Sequence, residues 1–270
     1  MITFQSQKIS ERVTRIMAPS EELMYLVEGS ESAALIDTGS GIGSLGGYVR
    51  SLTDKPLVVL LTHGHVDDAM GAGEFDLVYM NREDDYIYKR HAEEKFRRDG
   101  LFLCTQAEQI EDGDILPPMP LECIRDMKEG DSFSLGDITI EIYSCPGHTR
   151  GTLVMLIKEE RALLLGDACN DLTFMHEDYS TTIEEYKESL RRLKPMVEGK
   201  YDKVYLSHGS GDGALNLIDG VMGVCDDIMN GNTDDVPFSF KDSKGYIAKE
   251  VDAAGKRKDG GVGNIVFRKS

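Results

Sequence analysis

Cationic charge is scarce in this sequence: 30 Lys and Arg face 48 Asp and Glu across 270 residues, a formal charge of −18. A polyanionic partner needs clustered cation, so this balance excludes nucleic acid as a main partner and disfavours an anionic membrane surface. Long apolar runs are missing too. The longest, such as Pro56–Leu61 and Leu163–Leu165, fall far short of the roughly 20 residues a spanning helix needs. The first residues, Met1 to Lys8, hold no apolar segment of the kind a secretory signal carries. Cysteine is sparse, with 5 residues and no close-spaced pair, which reads as free thiols in the reducing cytoplasm. No repeat period or low-complexity tract is visible. What is there is 40% hydrophobic residues, enough for a sizeable core in one large domain or two small ones.

Short runs rich in Val, Ile, Leu and Tyr, bounded by Gly, Ser or Pro, predict strands at Arg12–Met17, Met24–Glu28, Ala33–Asp37, Leu57–Thr62 and Leu77–Met80. The second half repeats the theme at Leu121–Arg125, Ile138–Ser144, Leu153–Ile157, Ala162–Leu165 and Lys203–Leu206. Helical spacing predicts helices at Ser44–Leu52, Glu83–Arg98, Thr182–Leu193 and Ala214–Met229, the third opened by a Thr181/Glu184 capping box. The glycines of Thr38–Gly43 have neither the Gly-Lys-Ser/Thr of a phosphate loop nor dinucleotide-binding spacing, so they read as a tight strand-to-helix turn. From Lys241 to Ser270 the charge is +4, leaving −22 on the rest. Within that tail Lys256-Arg257-Lys258, with Asp259 and glycines around it, reads as a solvated hairpin tip. Strand–helix alternation in two similar halves predicts sheets inside and helices outside.

The chemistry collects at strand ends. His63-x-His65-x-Asp67 follows one predicted strand, and residues two apart in an extended segment point to the same side. The two imidazoles can therefore converge on one ion, with Asp67 displaced toward a second. Three further segments pair a strand and a sharp turn with one candidate ligand: Cys145-Pro146-Gly147-His148, Leu165-Gly166-Asp167 and Leu206-Ser207-His208.

Together these motifs resemble the metallo-β-lactamase-fold hydrolases, over about residues 10–230 and in the expected order. The resemblance implies an α/β fold, a four-layer αββα sandwich with the metals in a cleft at one edge of two sheets. It implies residues 1–230 as the catalytic domain, with 231–270 a Gly- and Lys-rich strand or hairpin extension on the same domain. It assigns a first metal to His63, His65 and His148, a bridge to Asp167, and a second metal to Asp67 and His208. The usual motif has a histidine after that aspartate, where this chain has Asp68. If Asp68 is a ligand, two divalent ions are charge-neutralised and the second position turns harder, from zinc toward manganese or iron. If it points away, the second site has three protein ligands.

The resemblance also prunes. An antibiotic-degrading member would have a cysteine at Asp167, a flavodiiron protein a glutamate at His65, and a nucleic-acid-processing member basic surfaces and an added arm. Glyoxalase II-type thioesterases, lactonases and small phosphodiesterases remain. The expectation is a cytoplasmic dinuclear hydrolase in which metal-activated water attacks a small ester, thioester, lactone or phosphodiester, positioned by Asp67. The rival is a metal-binding sensor or pseudoenzyme that Asp68 has deprived of turnover. Two divalent ions are expected as cofactors, with zinc first and manganese or iron at the second position. The expected partner is a small molecule, with no nucleic acid and no membrane, and a homodimer left open. Arg150, His176 and Tyr179 are candidate substrate contacts; for all three a structural role competes. Asp37 either supports a metal-bound imidazole or caps the Gly-rich turn. Cys145 and Cys169 read as buried hydrophobes.

Overall fold

The computed structural model describes residues 2–99, 101, 104–240 and 243–269. A seven-stranded sheet runs in sequence order: β1 (Gln5–Lys8), β2 (Val13–Met17), β3 (Leu23–Glu28), β4 (Ala33–Ile36), β5 (Leu57–Leu60), β6 (Val78–Met80) and β7 (Arg125–Asp126). Strands β1 to β4 pair antiparallel and β4 to β7 parallel. A five-stranded sheet takes β8 (Ser132–Ser134), β9 (Thr139–Ser144), β10 (Leu153–Ile157), β11 (Ala162–Leu164) and β13 (Lys203–Tyr205), in the order β13-β11-β10-β9-β8. A small third sheet joins β12 (Thr173–Met175) to β16 (Ile265–Phe267), β15 (Ser243–Ile247) and β14 (Val236–Phe240).

Alternation dictates the layers. Val13, Tyr25, Val27, Ile36 and Leu60 from the first sheet meet Ile140, Ile142, Met155, Ile157 and Leu164 from the second in one buried core. The outer face of the first sheet is covered by α1 (Leu45–Leu52) and by the region of α2 (Val66–Ala69), α3 (Asp85–His91) and α4 (Glu94–Arg98). The outer face of the second is covered by α5 (Ile183–Val197) and α6 (Leu217–Met229). This is the four-layer αββα arrangement. Among the described residues no helix is long and apolar enough to cross a membrane.

The sheet directions create the cleft. Strands β4 and β5 run parallel, as do β11 and β13, and β9 shares their sense because β10 is antiparallel to both β9 and β11. Every candidate ligand follows the carboxyl end of one of these strands. At that edge Leu153 N–H donates to Thr62 O at 2.9 Å, tying the sheets together.

Several expected elements shift. Leu121–Cys123 is a 3-10 turn, not a strand, because Cys123 N–H closes onto Pro120 O and Ile124 N–H onto Leu121 O; only Arg125–Asp126 pairs as β7. Glu83–Arg98 breaks into a 3-10 turn, α3 and α4, with Glu93 extended between the two helices. Helix α6 starts at Leu217 because Ala214 is spent in a turn. Strand β1 carries no apolar alternation, all four residues being exposed, and was not legible. The α5 capping box uses Thr182 and Glu185, one residue later than expected. Thr181 is committed elsewhere: it is buried and donates its N–H to Gly147 O at 2.9 Å. Thr182→Ala should therefore cost about 1 kcal/mol in urea unfolding, and Thr181→Ala should leave the cap intact.

Candidate metal centre

Strand β5 delivers His63 to the edge of the sandwich with its ring orientation set by neighbours. Thr62 donates its N–H to Asp37 Oδ1 at 2.7 Å and its hydroxyl to Asp37 Oδ2 at 2.9 Å. That hydroxyl oxygen lies 3.0 Å from His63 Nδ1, so Nδ1–H donates to it and Nε2 carries the lone pair. His148 is fixed the same way: Nδ1 lies 2.7 Å from the Phe174 carbonyl of β12, leaving Nε2 free to accept. This Nε2 is 2.9 Å from His65 Nδ1.

The carboxylates close around these nitrogens. Asp67 and Asp68 sit on the single turn of α2, where neighbouring side chains diverge by about 100°. Asp68 turns inward, its Oδ2 3.4 Å from His63 Nε2. Asp67 turns to the rim, 3.7 Å from His208 Nε2. Asp167 Oδ2 lies 3.2 Å from His208 Nε2 and 3.9 Å from both His63 Nε2 and His148 Nε2. Asn170 donates to its other oxygen at 2.9 Å. All seven residues read as ligands thus share one cleft. Two overlapping groups, His63/His65/His148 and His63/Asp68/Asp167, bring their donor atoms within 4.8 Å of one another.

Burial grades across the cleft. His63 and Asp68 are buried, whereas the side chains of Asp67 and His208 keep 40% and 44% of their surface exposed. Burial, reinforced by the neighbouring histidines, pushes His63 down to about 3 and His65 well below its ordinary value, so both are neutral as ligands require. Burial, then the charges of Asp67 and Asp37, pushes Asp68 well up. Burial would raise Asp167 as well, but His208, His148 and His63 hold it below the usual carboxylate range. Burial also opposes protonation of His208, and Asp167 outweighs it, carrying His208 to about 10. His63 Nε2 and both oxygens of Asp68 are buried without any hydrogen-bond partner among the described residues. Orphaned nitrogen and oxygen acceptors aimed at one point are costly unless a cation sits among them, so the residues present fit a metal.

Other expected residues fall as follows. Asp37 acts through Thr62 and does not touch the imidazole itself; burial raises it to about 8. The Gly-rich turn makes its own bends, with Gly39, Gly41 and Gly43 at φ of 67°, 69° and 75°. Tyr179 packs its ring edge on His65, with centroids 4.9 Å apart. His176 is buried off the cluster, its ring 5.7 Å from that of Phe174 and 5.3 Å from Phe238. Arg150 is exposed and makes no ion pair among the described residues. Cys145 and Cys169 are buried in the core outside the second sheet. Asp84 and His91, both buried behind the histidines, belong to no motif visible in the sequence. Their only local signal was a His amid charged residues of a surface-like helix.

The model of the metallo-beta-lactamase superfamily matches residues 19–208. The chain belongs to this superfamily. As a member it is a metal-dependent hydrolase at the level of the family, and it carries a candidate ligand set for a divalent ion. Acyl-coenzyme A thioesterase MBLAC2 of Homo sapiens is 28% identical over 219 residues, covering 72% of this chain and 75% of the relative. The Gallus gallus protein of the same name is 27% identical over 216 residues, covering 72% and 74%. Lactamase-like protein vrtG of Penicillium aethiopicum is 26% identical over 217 residues, 75% of this chain and 58% of that one. Among solved structures, the metallo-beta-lactamase from Pontibacter korlensis aligns with a TM-score of 0.59 at 17% identity, covering 83% of this chain and 99% of that one. The mono-zinc form of FIM-1 from Pseudomonas aeruginosa aligns at 0.60 with 14% identity, covering 84% and 96%. These two likenesses speak to the fold.

Proposed function

We propose that this superfamily member is a dinuclear hydrolase of small-molecule acyl thioesters. One divalent ion, zinc, would be held by His63, His65 and His148. A second would be held by Asp67, Asp68 and His208, with Asp167 shared between them. The observation that carries this reading is the set of buried, partnerless ligand atoms on His63 and Asp68 facing Asp167. The thioester is favoured over lactone and phosphodiester by the MBLAC2 relatives, named as acyl-coenzyme A thioesterases. Asp68 makes the second position harder than an imidazole would, which favours manganese or iron there.

When bound, such ions supply Lewis acidity for the scissile carbonyl and lower the pKa of a water. The chain's own residues do the rest. Asp67, half-exposed at the rim, accepts a hydrogen bond from the attacking water and orients it. Asp167 and Asn170 hold their geometry through a buried hydrogen bond, so the floor of the cleft needs no rearrangement during reaction. Tyr179, at a steep angle to the His65 ring, walls the cleft beside the three histidines. Arg150 and His176 have less support as substrate contacts, one being exposed without an ion-pair partner and the other packed between phenylalanines.

Metal-loaded protein assayed against acyl-CoA, lactone and phosphodiester panels tests this. Acyl thioesters should lead in kcat/KM by at least about a hundredfold, and Asp67→Asn should lower kcat by about 10²–10⁴ even at metal concentrations that refill the second position, which the amide holds less tightly. Bound metal with no turnover on any panel would favour the sensor reading instead, and a lead for phosphodiesters would contradict the substrate class.

A further inference from the structure

Segment 84–91, the end of the 3-10 turn and α3, holds both histidine loops. Asp84 is fully buried and has no cationic partner among the described residues. Its Oδ2 accepts Gly64 N–H at 2.9 Å and the Thr149 hydroxyl at 2.7 Å; its Oδ1 accepts Gly151 N–H at 2.7 Å. Gly64 lies between His63 and His65, and Thr149 to Gly151 follow His148. One carboxylate therefore cross-links loops about 85 residues apart. At the other end of the segment His91 Nδ1 accepts Val66 N–H at 3.1 Å, and its ring stacks on His65 with centroids 4.9 Å apart and planes 23° apart. Phe96 backs the stack from the far side, 4.1 Å from His91. The helix break before α4 makes this stack accessible, since residues five apart on a continuous helix face different directions.

The glycines in both loops have the same cause. A Cβ on Gly151 would lie 2.7 Å from Asp84 Cγ, and one on Gly64 would lie 3.1 Å from Asp84 O and 3.2 Å from Tyr88 N. Neither position has a left-handed backbone, so glycine is there for close approach. A buried carboxylate with no cation beside it is an expensive way to join two loops. Here the joined loops carry His65 Nδ1 and His148 Nε2, the pair that meets at 2.9 Å.

We infer that Asp84 and His91 are positioning residues for the three-histidine ion: they clamp the His63–Val66 and His148–Gly151 loops to one helix and set the convergence of His65 on His148. This rests on reading the cluster as a metal centre. Two measurements keep the clamp and that reading separable.

Hydrogen exchange of the metal-free protein reads the clamp itself. The Gly64, Val66 and Gly151 amides should be protected. Asp84→Asn should speed exchange at Gly64 and Gly151 by tenfold or more and spare Val66, and His91→Phe, which keeps the stack but deletes the acceptor, should do the reverse. Zinc competition against a chromophoric chelator reads its consequence. Asp84→Asn, and Gly151→Ala independently, should weaken by about 10–100-fold the zinc affinity that His148→Ala abolishes, and leave the other within threefold. Combining the two should add little, because they break one contact. If Asp84→Asn does not fold, His91→Phe and Gly151→Ala carry the test. Unchanged exchange at all three amides, or folded variants that keep both zinc affinities or lose both equally, would overturn the inference. Failure of the wild type to bind zinc would count against the metal reading while exchange still decides the clamp.

Discussion

Asp167→Ala should strip metal from the whole cleft and lower hydrolysis by more than a thousandfold, whereas Asp68→Ala should lose at most one ion. Asp167 Oδ2 is the carboxylate oxygen that lies near both ligand groups, 3.9 Å from His63 and His148 on one side and 3.2 Å from His208 on the other. Its removal deprives two cations of a shared negative ligand and leaves His208, now raised to about 10 chiefly against burial by this same carboxylate, without its anchor. Elemental analysis of both purified variants, with rates measured alongside, checks the ordering. Equal metal loss, or greater loss from Asp68→Ala, would mean that the roles are reversed.

Asp68→Asn should have opposite effects on the metal-free and metal-loaded protein. Without metal, Asp68 is a buried carboxyl with no hydrogen-bond partner among the described residues and a pKa well above its ordinary value, burial being the largest cause. A carboxyl with a raised folded pKa favours folding while both states are protonated, and that advantage is lost as pH rises from the unfolded value through the folded one. Metal-free wild type and variant should therefore melt together near pH 4, and the variant about 3 °C or more higher at pH 8. Metal reverses the order: the amide is a weaker ligand, so the loaded variant should hold one ion less tightly and gain less in melting temperature from manganese or zinc. Such a trade of stability for a functional carboxylate is common at active sites. Identical melting curves for the two proteins at every pH and metal concentration would make Asp68 a bystander.

Much of the site was legible because its ligands follow strands at short spacing. His63, His65 and Asp67 lie within five residues, and an extended segment followed by one helical turn fixes where each points. His148, Asp167 and His208 each stand alone, and their convergence depends on strand sense, which local pattern does not reveal. Asp84 and His91 were invisible for a physical reason: their partners lie 20 to 67 residues away, and helix periodicity says nothing about what a buried end grips. The α5 cap slipped by one because Thr181 and Thr182 are each followed three residues later by a glutamate, so local chemistry is degenerate. Tertiary structure breaks the tie by giving the Thr181 amide to Gly147. The strand expected at Leu121–Arg125 failed because Pro120 sets up a closed turn that its apolar residues alone do not signal.

Anomalous scattering from crystals grown with zinc and, separately, manganese tests the central claim most directly. The account predicts one peak among His63, His65 and His148, and a second bounded by Asp67, Asp68, Asp167 and His208 with Asp68 in contact. Manganese should favour the second position. Absence of any peak in the cleft, with the metal found elsewhere or not at all, would contradict the metal centre on which the proposed hydrolysis depends.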